Sequence, residues 1–220
     1  MGTGHTILTC LSPATYPGVR LGRRGEWQMT FRPPAGADSR RGRRETLVVP
    51  VLIRPARRED FVAIRQIERE AGQRYRDFGL AEVAEDEPPS IEVLEGYLAA
   101  TRIWVAERDG YQPVGYVVVE EIDGAAHIEQ VSVLSDYQGH GIGRALIERV
   151  HTWAIESGMA ALTLTSFGHI PWNRPLYEHL GFRVISEQEA GPGLLALRDG
   201  ETQRGLDPKL RVMMRLDLLA

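Results

Sequence analysis

Gln138-Gly139-His140-Gly141-Ile142-Gly143-Arg144 is the stretch that decides the fold. It stands between a run that reads as a strand, 127–134, and a long amphipathic helix over 141–156. Ile142, Leu146, Val150 and Trp153 fall on one face of that helix. Free backbone N–H groups and the positive end of the helix dipole converge at such a junction. Glycines let an anion approach the main chain, and Arg144 adds charge. A Walker loop would need Gly-Lys-Ser/Thr, and the stretch has no lysine. A dinucleotide fingerprint would need G-x-G-x-x-G in a parallel unit. Here the spacing is G-x-G-x-G and the preceding strands read as hairpins. A purely structural tight turn is the remaining plain alternative.

Upstream, 51–54 reads as a strand. Phe61, Ile64, Ile67/Glu68, Ala71 and Tyr75 recur at helical spacing over 59–75. A polar segment with Glu82, Glu85, Asp86 and Glu87 ends at Pro88-Pro89. Ser90 then caps a second helix reaching residue 100. Strands follow at 103–108, 114–122 and 127–134, separated by Asp109-Gly110 and Asp123-Gly124 turns. Downstream of the helix come a strand at 162–165, a short helix at 173–180 ended by Gly181, and strands at 182–185 and 211–216. The order β-α-α-β-β-β-α-β-α-β-β predicts an α/β (α+β) domain over 51–220.

Residues 1–50 are rich in Gly, Pro and Arg, without sustained periodicity. They read as a disordered tail, either solvated or translated from an upstream start. The tail holds eight arginines against Glu26, Asp38 and Glu45, so the remainder carries −9 of a total charge of −4. An acidic domain disfavours nucleic acid and mildly favours cationic small molecules. Cys10 is the one cysteine, so no disulfide and no Cys-based zinc site can form within the chain. No apolar run has the length of a membrane span or the character of a signal peptide. A soluble cytoplasmic protein with no membrane partner is expected. His151 and His169 lack metal-ligand spacing with carboxylates, and no metal is expected.

Gln138 through Gly143 resembles the Q/R-x-x-G-x-G/A signature of the GNAT acetyltransferase superfamily. Val131-Ser132-Val133 before it, the run from Asn173 to Phe182 after it, and Ile53-Arg54-Pro55-Ala56 with Asp60 also match that family's spacing. The resemblance implies the acyl-CoA N-acyltransferase fold: a mixed, mostly antiparallel sheet, splayed between its fourth and fifth strands, with flanking helices. It implies that acetyl-CoA is the co-substrate. Gln138, Gly139, His140, Gly141, Ile142, Gly143 and Arg144 would cradle the pyrophosphate. Backbone groups along Val131, Ser132 and Val133 would bond the pantetheine arm, one freed N–H serving as oxyanion donor. Asn173 takes a position where the family often contacts CoA, and it reads equally as a helix N-cap.

The resemblance further implies Tyr177 as the acid that reprotonates the leaving thiolate; its plain alternative is packing beside Phe182. His127 and Glu129 alternate along one strand, roughly 6–7 Å apart on one face. Relatives carry a general base at one or both positions. Glu129 reads also as a substrate anchor, and either residue as a solvated sheet residue. Thr165 is a departure from members with a glutamate at that strand end. The acceptor would lie between the stretch 82–87, whose plain reading is a solvated loop, and the long segment 186–209. Direct transfer to a primary amine in a ternary complex is the expected reaction. Use of a longer acyl-CoA, or non-catalytic CoA binding, are the alternatives. Monomer and homodimer both stay open.

Overall fold

The computed structural model describes residues 51–108 and 112–218, with the backbone of two short strands, β1 (Val19–Leu21) and β2 (Trp27–Met29). The rest of the expected tail over 1–50 and the Asp109-Gly110 turn lie outside the described residues. β1 pairs antiparallel with β2, and Trp27 stands opposite Val51.

From Val51 the chain runs β3 (Val51–Pro55), α1 (Phe61–Gly72), α2 (Ala81–Ala84), α3 (Ile91–Ala99), β4 (Ile103–Arg108), β5 (Gln112–Ile122), β6 (Ala125–Val133), α4 (Ile142–Glu156), β7 (Ala161–Phe167), α5 (Asn173–His179), β8 (Arg183–Ile185), α6 (Pro192–Gln203) and β9 (Arg211–Asp217). The strands make one sheet in the order β1-β2-β3-β4-β5-β6-β7-β9-β8. Every described pairing is antiparallel except β6–β7. This is the mixed, mostly antiparallel sheet that the sequence predicts.

Two apolar layers cover the sheet. Leu146 and Val150 of α4 are fully buried against Val117, Val131 and Leu164. Each such side chain contributes about 2 kcal/mol of burial. On the opposite face Phe61, Ile64 and Ile67 of α1 pack with Ile103, Val105 and Tyr116. The Ser90 hydroxyl accepts from the Val93 N–H at 3.2 Å and so caps α3, as its sequence position predicts.

Two helices are not legible in the sequence. α2 is one turn long, too short for a period. α6 lies in the segment read only as a wall of the acceptor site. It starts at Pro192, contains Gly193 and Gly200, and buries only Leu194 and Glu201, so it has no apolar stripe. Its N-terminus is held instead by Asp123, whose carboxylate accepts from the Gly193 and Leu194 N–H groups, each at 2.9 Å.

Candidate active site

β6 and β7 pair over only Ala126–Ile128 and Leu162–Leu164. Beyond Ile128 the two strands part. The Leu134 N–H donates to the Val114 carbonyl, and Tyr116 stands opposite Ser132. By alternation, the backbone groups of Val131 and Val133 therefore face away from β5, into the gap. The register between β5 and β6 also shifts: Val118 opposes Gln130 while Val119 opposes Ile128, which leaves Glu129 as an extra, bulged residue. The expected splay and this bulge thus coincide at the strand's midpoint.

The glycine loop lies at the wide end of this gap. Gly139 and Gly141 have φ of 75° and 78°, a left-handed backbone that favours glycine. Gly141 sits at the N-cap of α4 and has no side chain to cover the free N–H groups of the first turn. Gln138 serves mainly to hold the loop in place. Its Nε2 donates to the Val133 carbonyl at 2.8 Å, tying the loop to the end of β6. Its Oε1 accepts from Arg74 at 2.6 Å. The Arg74 guanidinium also lies 4.1 Å from the centre of the Trp172 ring. Arg74 is therefore a cation at the loop that sequence reading missed, and nothing in its neighbourhood marks it. His140 Nδ1 lies 2.7 Å from the Gln138 carbonyl. Arg144 pairs with Glu148 at 2.6 Å, one turn along the helix. Ile142 is buried in the core and offers the gap only its backbone, whereas the Ser132 hydroxyl faces α1 and its backbone pairs with β5 opposite Tyr116.

Asn173 is 1 % exposed, and neither atom of its side-chain amide has a partner among the described residues. Trp172, not Asn173, occupies the N-cap of α5, so capping does not account for the amide. A buried orphan amide costs about 1–3 kcal/mol. Together with the unladdered backbone of Val131 and the Val133 N–H, it is what a polar ligand arm entering the gap would satisfy. The residues present thus fit CoA.

Tyr177 is fully buried one turn into α5, its ring 5.9 Å from that of Phe182 in an edge-to-face contact. The contact follows from the helix end. The Phe182 N–H bonds the Tyr177 carbonyl, the Gly181 N–H bonds the Glu178 carbonyl, and Gly181 has φ of 94°. These are the paired bonds of a Schellman stop, whose apolar contact fixes the Tyr177 ring.

His127 and Glu129 share a face, and their side chains meet there: Nε2 to Oε2 is 3.7 Å. Their environments push their acidities apart. Burial drives the His127 imidazole down to about 4. The ring is thus neutral near pH 7, with Nδ1 3.0 Å from the Thr163 hydroxyl. Burial, with the nearby Glu120 and Glu201 charges, raises the Glu129 carboxyl to about 7. Some 17 % of its side chain remains exposed, so solvent and substrate can reach it. Beside them, Thr165 is not a vacancy. Its hydroxyl donates to Glu201 of α6 at 2.6 Å and accepts from Arg211, which also pairs with Glu201. The carboxylate at this strand end comes from α6 and is held as an ion pair.

Residues 99–184 match the family model described as "Acetyltransferase (GNAT) domain". Over 88 residues the chain is 36 % identical to N-acetylaspartate synthetase of Danio rerio, a stretch covering 39 % of this chain and 31 % of that protein. The fold is similar to that of N-acetylglutamate synthase from Neisseria gonorrhoeae complexed with coenzyme A and N-acetyl-glutamate. The TM-score is 0.59 at 20 % identity, over 77 % of this chain and 35 % of that one. It is similar also to the PaiA N-acetyltransferase from Thermoplasma acidophilum in complex with coenzyme A, with TM-score 0.58 at 16 % identity, over 76 % and 99 % of the two chains. The chain spans about a third of the length of the first two relatives. Fold and family match point the same way: residues 99–184 match the GNAT acetyltransferase domain model, and the fold is similar to that of an N-acetyltransferase solved with coenzyme A.

Proposed function

We propose that the chain transfers an acetyl group from acetyl-CoA to a primary amine by direct attack. The observation that carries this is Glu129: a carboxyl raised to about 7, on a bulge, at the point where β6 and β7 part. The amine arrives on the α1 side of the sheet. Glu129 takes its proton, directly or through water. The freed lone pair attacks the thioester carbon, and the backbone N–H groups of the parted strand stabilise the oxyanion. The C–N bond forms and the C–S bond breaks; the thiolate takes a proton from the Tyr177 hydroxyl, and the second proton, shed by the new amide nitrogen, returns to Tyr177 through water.

His127, neutral and bonded to Thr163, orients Glu129 and is not the base. Arg74, Gly139 and Gly141 hold the phosphates, while Asn173 and the backbone of Val131 and Val133 hold the pantetheine arm. The orphan Asn173 amide supports this binding mode. The synthases of N-acetylaspartate and N-acetylglutamate among the similar proteins support a small amine as acceptor. Following thiol release from acetyl-CoA across a panel of primary amines tests the reading. Turnover of at least one amine, lost in Gly141→Glu through weakened CoA binding, is expected. A folded Gly141→Glu variant that binds CoA as the wild type does would remove the phosphate-loop assignment.

A further inference from the structure

On the acceptor side, α1, α2 and α3 enclose a chamber against β5 and β6. Glu68, Asp86, Glu87, Tyr97, Tyr116 and Gln130 line it. Its floor centres on one acceptor, the Glu68 carboxyl. Glu68 takes hydrogen bonds from Tyr116 at 2.5 Å, from Ser132 at 3.0 Å, and from Gln130 Nε2 at 2.9 and 3.0 Å. All three donors are neutral, and among the described residues no cation pairs with Glu68. Burial raises its carboxyl above the ordinary range.

Gln130 is 2 % exposed, and its Oε1 has no donor among the described residues. The amide cannot simply be turned over, because that would aim Oε1 at the Glu68 carboxylate. A buried carboxylate without a counter-ion, beside a buried carbonyl oxygen without a donor, calls for a ligand group with both positive charge and N–H bonds. A carboxylate or phosphate would meet Glu68, Asp86 and Glu87 and be repelled.

The chamber adjoins the chemistry. Gln130 directly follows Glu129, and Tyr97 lines the chamber within reach of the Glu129 charge. A groove of about 460 Å³ between α2 and the segment after α6 shares Val83 and Asp86 with the chamber, leaving room for a longer chain.

We propose that the acceptor is an aliphatic diamine or polyamine, one ammonium held by Glu68 and the Gln130 carbonyl while the other presents its nitrogen to Glu129. This rests on the transferase reading above. The full chain is assayed by thiol release with 1,4-diaminobutane, butylamine and L-aspartate, and by calorimetric titration of 1,4-diaminobutane in the presence of CoA. The diamine should exceed butylamine in kcat/KM by roughly ten-fold or more, as suits a charge-assisted contact. Glu68→Gln should shrink that ratio and weaken diamine binding. Should Glu68→Gln not fold, Asp86→Asn should act in the same direction. Butylamine or aspartate turned over as well as the diamine would overturn the proposal while leaving the transferase reading intact. Diamine binding unchanged in a folded Glu68→Gln variant would also overturn it. Glu68-dependent diamine binding without turnover of any amine would keep the cation site and remove the transferase reading instead.

Discussion

Replacing Glu129 by Gln removes a buried titrating group while conserving its shape. Its carboxyl rises from an ordinary 4.5 to about 7 in the folded protein. A shift of that size corresponds to about 3 kcal/mol. The sign follows from proton binding. Between pH 4.5 and 7 the native state holds a proton that the unfolded state has released, so this group's contribution falls as pH rises through that window. Above pH 7 wild type carries a buried charge repelled by Glu120 and Glu201; the glutamine variant does not. Urea unfolding at pH 5 and pH 8 should therefore show the variant gaining on wild type by up to about 3 kcal/mol at the higher pH. The same variant should lose turnover, and the rise of kcat/KM through pH 7 should disappear. Part of the loss should return at high pH as free amine becomes available. A stability difference that does not change with pH would refute the burial argument. A folded variant with the wild-type pH–rate profile would refute the role as base.

His127→Ala should leave the limb near pH 7 in place, because an imidazole held down to about 4 does not titrate there; loss of that limb in kcat/KM would exchange the two roles. Tyr177→Phe deletes only the hydroxyl, so kcat should fall roughly 10²-fold with the Kd for acetyl-CoA little changed. Wild-type turnover would reduce Tyr177 to packing against Phe182. Asn173→Leu exchanges an orphan amide for apolar atoms, so the free protein should melt at the same temperature or higher while CoA affinity falls. Affinity equal to wild type would release Asn173 from the cofactor site.

Much of this architecture was legible because local chemistry and global packing agree. The meander, the glycine loop and the α5 stop are written in hairpin turns, left-handed glycines and a Tyr-Phe pair at Schellman spacing. The Glu129 bulge is not written there: a bulge is a mismatch between two strands, visible only once β5 is laid against β6. Glu68 did leave a trace, as a carboxylate on the apolar stripe of α1. Its partners Tyr116, Gln130 and Ser132 lie 48 to 64 residues away, and no spacing rule reaches that far. The Glu201–Arg211–Thr165 cluster depends on α6, whose lack of an apolar stripe hid it.

The short β6–β7 ladder also divides the molecule mechanically. On one side lie the strands through β6, on the other β7, β9 and β8, and only three residue pairs stitch the sheet across that seam. A ladder that short opens on a small scale at less cost than the longer ladders on either side of it. A pantetheine arm bonded to Val131 and Val133 would serve as a suture there. Amide exchange along the outer half of β6 should therefore slow when CoA binds, and β7 should share the protection although it lies across the gap.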